Sequence, residues 1–412
     1  MEITDFTEAA GVVHTLDELN DYWTKKRPVV SDIIDGEGHQ YVDLVMEGGG
    51  VLGIALIGYT YALESVGIRF LGVGGTSAGA ITATMIAALD KPANAKSVQA
   101  LEILAELEMF EFVDGDSDAK DFVKTMLEGA GPVKLGWKAM QVLDNLREDL
   151  GLNPGDCFFK WVATQLKGAG IRTVADLNKR FRDLPPDLRL RSGKSLSADE
   201  AAACLKIVAA DVTTETKAVF PEMANLYFKE PNKVNPAHFV RASMSIPLFF
   251  HPYRVKRLPK GVPALREWKK VGYKGPVPKE IVFIDGGIMS NFPVDLFHDP
   301  NAKGMPSAPT FGARLGTARD EVNKIEKPTQ LLMSVFNAAR HCNDFDFIAR
   351  NPDFARLVTE IPTGPHNWLN FFLTPEAKVD LFTRGVKAAV AWLKGFNWPD
   401  YKQLRGKLAK VK

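Results

Sequence analysis

A serine at position 77 stands between small residues in Gly75-Thr76-Ser77-Ala78-Gly79. This G-x-S-x-G spacing lets a chain reverse sharply from strand to helix, with Gly75 and Gly79 forming an elbow that presents the hydroxyl at its tip. A serine hydroxyl is a weak nucleophile until a base takes its proton and donors stabilise the oxyanion formed by attack on an ester or amide carbonyl. A second glycine-rich turn, Gly48-Gly49-Gly50-Val51-Leu52-Gly53, follows the strand-like run Tyr41 to Met46. Three successive glycines put no side chains in the way, so the N–H groups of Gly48, Gly49 and Gly50 can converge on one oxygen at the start of a helix. Together the two turns read as an oxyanion hole beside a nucleophile.

Other chemistries fit these turns less well. The first turn spells G-x-G-x-x-G, the dinucleotide fingerprint, but the second strand ends in Gly74-Gly75-Thr76-Ser77, with no carboxylate for a ribose. Gly74 to Gly79 has the spacing of a P-loop, yet Ala80 and Ile81 stand where Lys and Ser/Thr must reach phosphate and magnesium. Ile284-Asp285-Gly286-Gly287 by itself reads as a turn. It follows a Val/Ile-rich run from Glu280 to Ile284, so Asp285 falls at a strand's carboxyl end, the edge that faces the crevice in an open α/β sheet.

The stretches Glu47 to Ala55, Gly75 to Ile81 and Ile284 to Gly287 resemble the motifs of the patatin-like phospholipases. So do Ile207 to Thr214 and Arg241-Ala242-Ser243-Met244-Ser245-Ile246-Pro247 with Phe249-Phe250-His251-Pro252. The resemblance implies that Ser77 is the nucleophile, that Asp285 is its base with no histidine between them, and that Gly48, Gly49 and Gly50 form the oxyanion hole. It runs from about Tyr41 to Trp392 and departs at one position, since Leu52 stands where the family commonly has Arg or Lys. No cofactor and no metal are implied.

These turns need a scaffold. A 412-residue chain that is 46% hydrophobic and 25% charged can bury a large core as one domain or two. A net charge of +1 gives no global electrostatic footprint for nucleic acid. Cys157, Cys204 and Cys342 lie too far apart for a metal-binding pair and suggest no disulfide framework, which fits a reducing compartment. Glu2, Asp5 and Glu8 precede any apolar run, so a secretory signal is not expected, and a cytoplasmic or membrane-peripheral location follows. The uncharged stretch Phe70 to Leu89 is long enough to span a bilayer, but its glycines read better as strand, turn and buried helix.

The expected fold is α/β: a three-layer α/β/α sandwich with a mainly parallel central sheet and a helical insertion. Residues 1–40 read as an N-terminal extension with a short helix near Thr15 to Leu19, residues 41–395 as the enzyme domain, and 396–412 as a frayed basic tail. Within the domain, about 92–200 form the helical insertion, where Leu135, Met140, Leu143, Leu146 and Leu150 recur near helical spacing, as core or as part of a cap over the serine. The segment from Tyr253 to Lys279 is a basic loop with interleaved aromatics. Lys269, Lys270 and Trp268 are its candidates for docking on anionic lipid.

The expected function is hydrolysis of fatty-acyl esters of phospholipids or lysophospholipids through an acyl-serine intermediate, with transient membrane contact. One alternative is an α/β-hydrolase esterase, whose triad would draw on His298, His341 or His366. A catalytically silent lipid-binding protein of the same fold is another.

Overall fold

The computed structural model describes residues 1–118, 120–121, 149–298, 305–316, 322, 325–368 and 370–411. The stripe residues Leu135, Met140, Leu143 and Leu146 lie outside them. Among the described residues the chain forms a mixed α/β fold around a ten-stranded sheet. Eight strands matter for the site: β1 (Gln40–Met46), β2 (Ile68–Thr76), β3 (Cys204–Asp211), β4 (Thr216–Phe220), β5 (Tyr253–Val255), β6 (Ile281–Asp285), β7 (Thr310–Gly316) and β8 (Val358–Pro362). In the order β8-β7-β1-β2-β3 all neighbours are parallel. Every residue of β2 is buried, as both faces of a parallel strand require, which is why its sequence lacks the alternation of a half-exposed strand.

Eight helices are labelled: α1 (Ala10–Lys26), α2 (Gly53–Ser65), α3 (Ala78–Ala88), α4 (Asp156–Gly168), α5 (Ala237–Ser243), α6 (Val262–Lys270), α7 (Pro328–Arg350) and α8 (Pro375–Gly395). The apolar run Phe70 to Leu89 divides into β2, the elbow and α3. Among the described residues no helix is long and apolar enough to cross a membrane. Both helices that leave the glycine turns are buried nearly all round, so neither shows an amphipathic stripe.

Register decides where Asp285 lies. Along one edge of β3, β4 pairs continuously from Ile207 to Asp211. Along the other edge β2 pairs up to Thr76 opposite Val208, and from there β6 takes over, with Asp285 opposite Ala209 and Phe283 opposite Asp211. Strand β6 runs antiparallel to β3, so β2 and β6 approach tip to tip along the same edge. Asp285 is therefore at a carboxyl end, as expected, but that end points inward at the end of β2 and not outward from a parallel crest. Since β5 pairs antiparallel with β6, Val255 opposite Ile281, the segment 256–280 is carried beyond the tip of β2, at the site's end of the sheet.

Both termini are packed on this body. Helix α1 is longer than the expected turn near Thr15 to Leu19 and lies on α8, with Lys394 Nζ 2.7 Å from Glu18 and the Tyr22 hydroxyl donating to the Lys394 carbonyl. The C-terminal residues Trp398–Val411 form a helix and not a frayed tail. Trp398 and Tyr401, three apart on one helical face, are buried, while Lys402 and Arg405 pair with Asp32 and Asp353.

The basic segment also differs from expectation. Trp268 is fully buried against Tyr227 and Tyr273, so it is a core residue and not a docking group. An indole next to two lysines on a nine-residue helix faces inward because α6 is amphipathic; the lysines one and two positions later face solvent. Lys270 is paired with Glu267 at 2.7 Å, and Arg254 with Glu280 at 3.0 Å.

Candidate active site

The elbow has the strain its sequence suggests. Ser77 sits at φ 55°, ψ −120°, a conformation costing a non-glycine residue about 1–3 kcal/mol and retained only where the surroundings impose it. They do so through close packing: a Cβ on Gly75 would come within 2.7 Å of the Met46 carbonyl oxygen, and one on Gly79 would run into the same group. The Ser77 N–H donates to Ser243 Oγ at 2.9 Å, and the Ser77 carbonyl accepts from Ile81 in the first turn of α3.

From that position the Ser77 hydroxyl donates to Asp285 Oδ2 at 2.8 Å and lies 3.1 Å from Met244 Sδ. The other carboxylate oxygen, Oδ1, accepts the Gly287 N–H at 2.7 Å, and the Asp285 N–H donates to the Ser245 carbonyl at 2.8 Å. Ser243, Met244 and Ser245 thus bracket serine and aspartate from one segment. Both groups are buried, at 3% and 5% exposure. Burial pushes the Asp285 carboxyl above its ordinary value, opposed by the Arg340 charge, the Gly287 N–H and the Ser77 hydroxyl.

The three glycines of the first turn are not equivalent. Gly48 donates its N–H to the Asn291 carbonyl at 2.9 Å, so this donor is already engaged, and the expectation of three converging donors narrows to Gly49 and Gly50. Gly50 has φ 53°, and a Cβ there would strike the Trp368 carbonyl, which accepts the Val51 N–H at 3.1 Å. Asn291 also donates through Nδ2 to the Gly48 carbonyl and to Glu47 Oε1, both at 3.0 Å. An apolar cleft opens from Gly50 and Ala78 over Ile54, Ile81, Leu104 and Leu107, with Lys378 at its wall.

The histidines occupy other places. His366 pairs with Asp380 at 2.8 Å, His298 packs edge-on to Phe347 and Phe354, and His341 lies beside Phe345. The side-chain partners of the Ser77 hydroxyl are Asp285 and Met244. Sequence reading left Asn291, Arg340, Trp368 and the Ser243–Met244 pair without a role. Ser243 and Met244 lay in a motif already noted; Arg340 and Trp368 carry no local signal at all.

A buried serine on a strand-to-helix elbow, hydrogen-bonded to an aspartate in an α/β fold, is an arrangement shared with serine hydrolases of the α/β class. The chain belongs to the patatin-like phospholipase family, which it matches over residues 44–298. It is 28% identical over 361 residues to Uncharacterized protein YqhO of Bacillus subtilis (strain 168), covering 87% of this chain and 100% of that one. Among solved structures it is similar to VipD from Legionella pneumophila (18% identity, TM-score 0.40, 93% of this chain and 74% of that one). A further similarity is to the ExoU-SpcU complex from the type III secretion system of Pseudomonas aeruginosa (17%, TM-score 0.31, 86% and 51%).

Proposed function

We propose that this protein hydrolyses fatty-acyl esters of phospholipids or lysophospholipids through an acyl-serine intermediate built by Ser77 and Asp285. The observation that carries the reading is the 2.8 Å hydrogen bond from the Ser77 hydroxyl to a buried carboxylate. As Ser77 Oγ bonds to the ester carbonyl carbon, its proton passes to Asp285 Oδ2 and negative charge collects on the carbonyl oxygen, which the Gly49 and Gly50 N–H groups stabilise. Collapse breaks the ester C–O bond, and the departing alkoxide takes the proton back from Asp285. Water then attacks the acyl-serine by the same route, releasing the fatty acid.

A carboxylate is a weak base for a serine hydroxyl in water. Here fixed proximity and a desolvated site offset that deficit, since a buried carboxylate with a raised pKa is a stronger proton acceptor than an exposed one. The apolar lining of the cleft beside Gly50 and Ala78 matches an acyl chain in polarity. Lys269 and Lys270, exposed at the same end of the sheet as the serine, suit contact with anionic headgroups.

The test is labelling by a fluorophosphonate probe together with turnover on phospholipid in mixed micelles. The wild type should label at Ser77 and release fatty acid, and Ser77→Ala should lose both. Fatty-acid release by Ser77→Ala near the wild-type rate would remove the assignment. A folded wild type that neither labels nor turns over lipid would favour a silent lipid-binding protein.

A further inference from the structure

Arg340, on α7, lies outside the stretch that matches the family, and its side chain reaches the centre of the site. It is 7% exposed. Its Nη2 donates to Asn291 Oδ1 at 2.9 Å and stands 3.4 Å from the Gly48 carbonyl, while its guanidinium lies over the Trp368 ring, 4.8 Å from the centroid. A Cβ built on Gly287 would sit 3.3 Å from Arg340 Nε and 2.9 Å from Asp285 Oδ1. The guanidinium and Asp285 Oδ1, the oxygen that receives the Gly287 N–H, therefore both lie against Gly287, close enough for the Arg340 charge to act on the carboxylate. The glycine loop supplies no cation of its own, since Leu52 is packed in the core.

We propose that Arg340 is the positioning residue of this centre: one buried guanidinium that faces the base, Asp285, and fixes the glycine loop through Asn291 and the Gly48 carbonyl. The inference rests on the hydrolase reading given above. An arginine is charged at every working pH and presents several donors in a plane, so it can serve the carboxylate electrostatically and the amide by hydrogen bond at once. With Asn291 holding both the N–H and the carbonyl of Gly48, the peptide groups of Gly49 and Gly50 are left as the loop's donors. Trp368 completes the clamp, stacking under the guanidinium while its carbonyl holds Val51.

The Arg340 charge acts on Asp285, holding its carboxyl down against the effect of burial. Glu47, at the end of β1, lies within the field of Arg340 and is also faced by Arg314 of β7 at 3.9 Å. Asp344, one turn along α7, accepts from Ser290 Oγ and the Phe292 N–H and holds the far side of the Asn291 loop. Removing the arginine takes away a charge that opposes the effect of burial on Asp285, which favours its protonated, non-basic form.

The experiment follows the Asp285 carboxyl directly, in full-length protein carrying 13C-labelled aspartate, the resonance assigned by its loss in Asp285→Asn. In Arg340→Met the titration should move upward by about one pH unit or more, with the acid limb of kcat/KM on a soluble ester moving with it. Arg340→Lys should keep the titration near that of the wild type while kcat falls about tenfold or more, because an ammonium cannot reproduce the planar contact with Asn291. An unmoved Asp285 titration in folded Arg340→Met overturns the inference. If Arg340→Met does not fold, Arg340→Lys decides: lowered kcat with an unchanged titration supports it, and wild-type kcat overturns it. The carboxyl titration needs no turnover, so absence of esterase activity in the wild type would sink the hydrolase reading and leave the coupling of Arg340 to Asp285 separately measured.

Discussion

Ser77 and Asp285, 208 residues apart in the chain, are joined by a 2.8 Å hydrogen bond because the strands that carry them end against each other on one edge of a third. Thr76 lies opposite Val208 and Asp285 opposite Ala209, adjacent positions on β3. Shifting β6 by one residue would turn the carboxylate to the other face of the sheet. The geometry is a property of the register and not of either motif.

Replacing the base should separate chemistry from folding. Asp285→Asn should lower kcat by about 10²- to 10⁴-fold with an unchanged far-UV circular dichroism spectrum. His298→Ala, His341→Ala and His366→Ala should each retain most of the wild-type rate. A histidine variant as inactive as Ser77→Ala in a folded protein would replace the dyad by a triad.

Stability should fall as pH rises from about 4.5 to about 7. Burial lifts Glu47 to about 7 from an ordinary 4.5, partly offset by Arg314. A folded-state pKa raised above the unfolded one gives a contribution that is fully present below about pH 4.5 and lost as pH rises through about 7. Glu47→Gln keeps an acceptor for Asn291 Nδ2 and removes the titration. Denaturant unfolding from pH 5 to 8 should therefore show a flatter profile in the variant, by on the order of 1–3 kcal/mol across the range. Parallel profiles would show that Glu47 stays ionised throughout.

Gly79→Ala tests the elbow against local propensity. Alanine is favoured over glycine within a helix by about 1 kcal/mol, so on propensity alone the variant should be more stable. The added Cβ instead meets the Met46 backbone carbonyl, which cannot rotate away as a side chain would. We expect a net loss of about 1–3 kcal/mol by thermal or denaturant unfolding and a drop in probe labelling of Ser77. A Tm at or above that of the wild type would mean the elbow is looser than its packing indicates.

Reversing Lys269 and Lys270 together to Glu should weaken binding to vesicles containing phosphatidylglycerol, each lysine contributing roughly 1 kcal/mol at a membrane surface. Added salt should affect the variant less than the wild type, while hydrolysis of a soluble short-chain ester is unaltered. Equal loss on vesicles and soluble ester would assign the lysines to folding of α6.

What the sequence alone determined is what neighbouring residues impose on one another. Glycines at 75 and 79 around a serine demand an elbow, three glycines after an apolar strand demand an open turn, and the Val/Ile-rich run from Glu280 to Ile284 marks β6 within a residue. Long-range placement was not legible in this way. No local pattern says that β6 descends antiparallel onto the tip of β2, that Gly48 spends its N–H on Asn291, or that an arginine on α7 lies beside Asp285. The orientation of Trp268 and the docking of Trp398 and Tyr401 depend on which apolar surface each helix finds. These outcomes are set by packing between segments far apart in the chain, where the free energy of burying a side chain outweighs any preference its neighbours in sequence express.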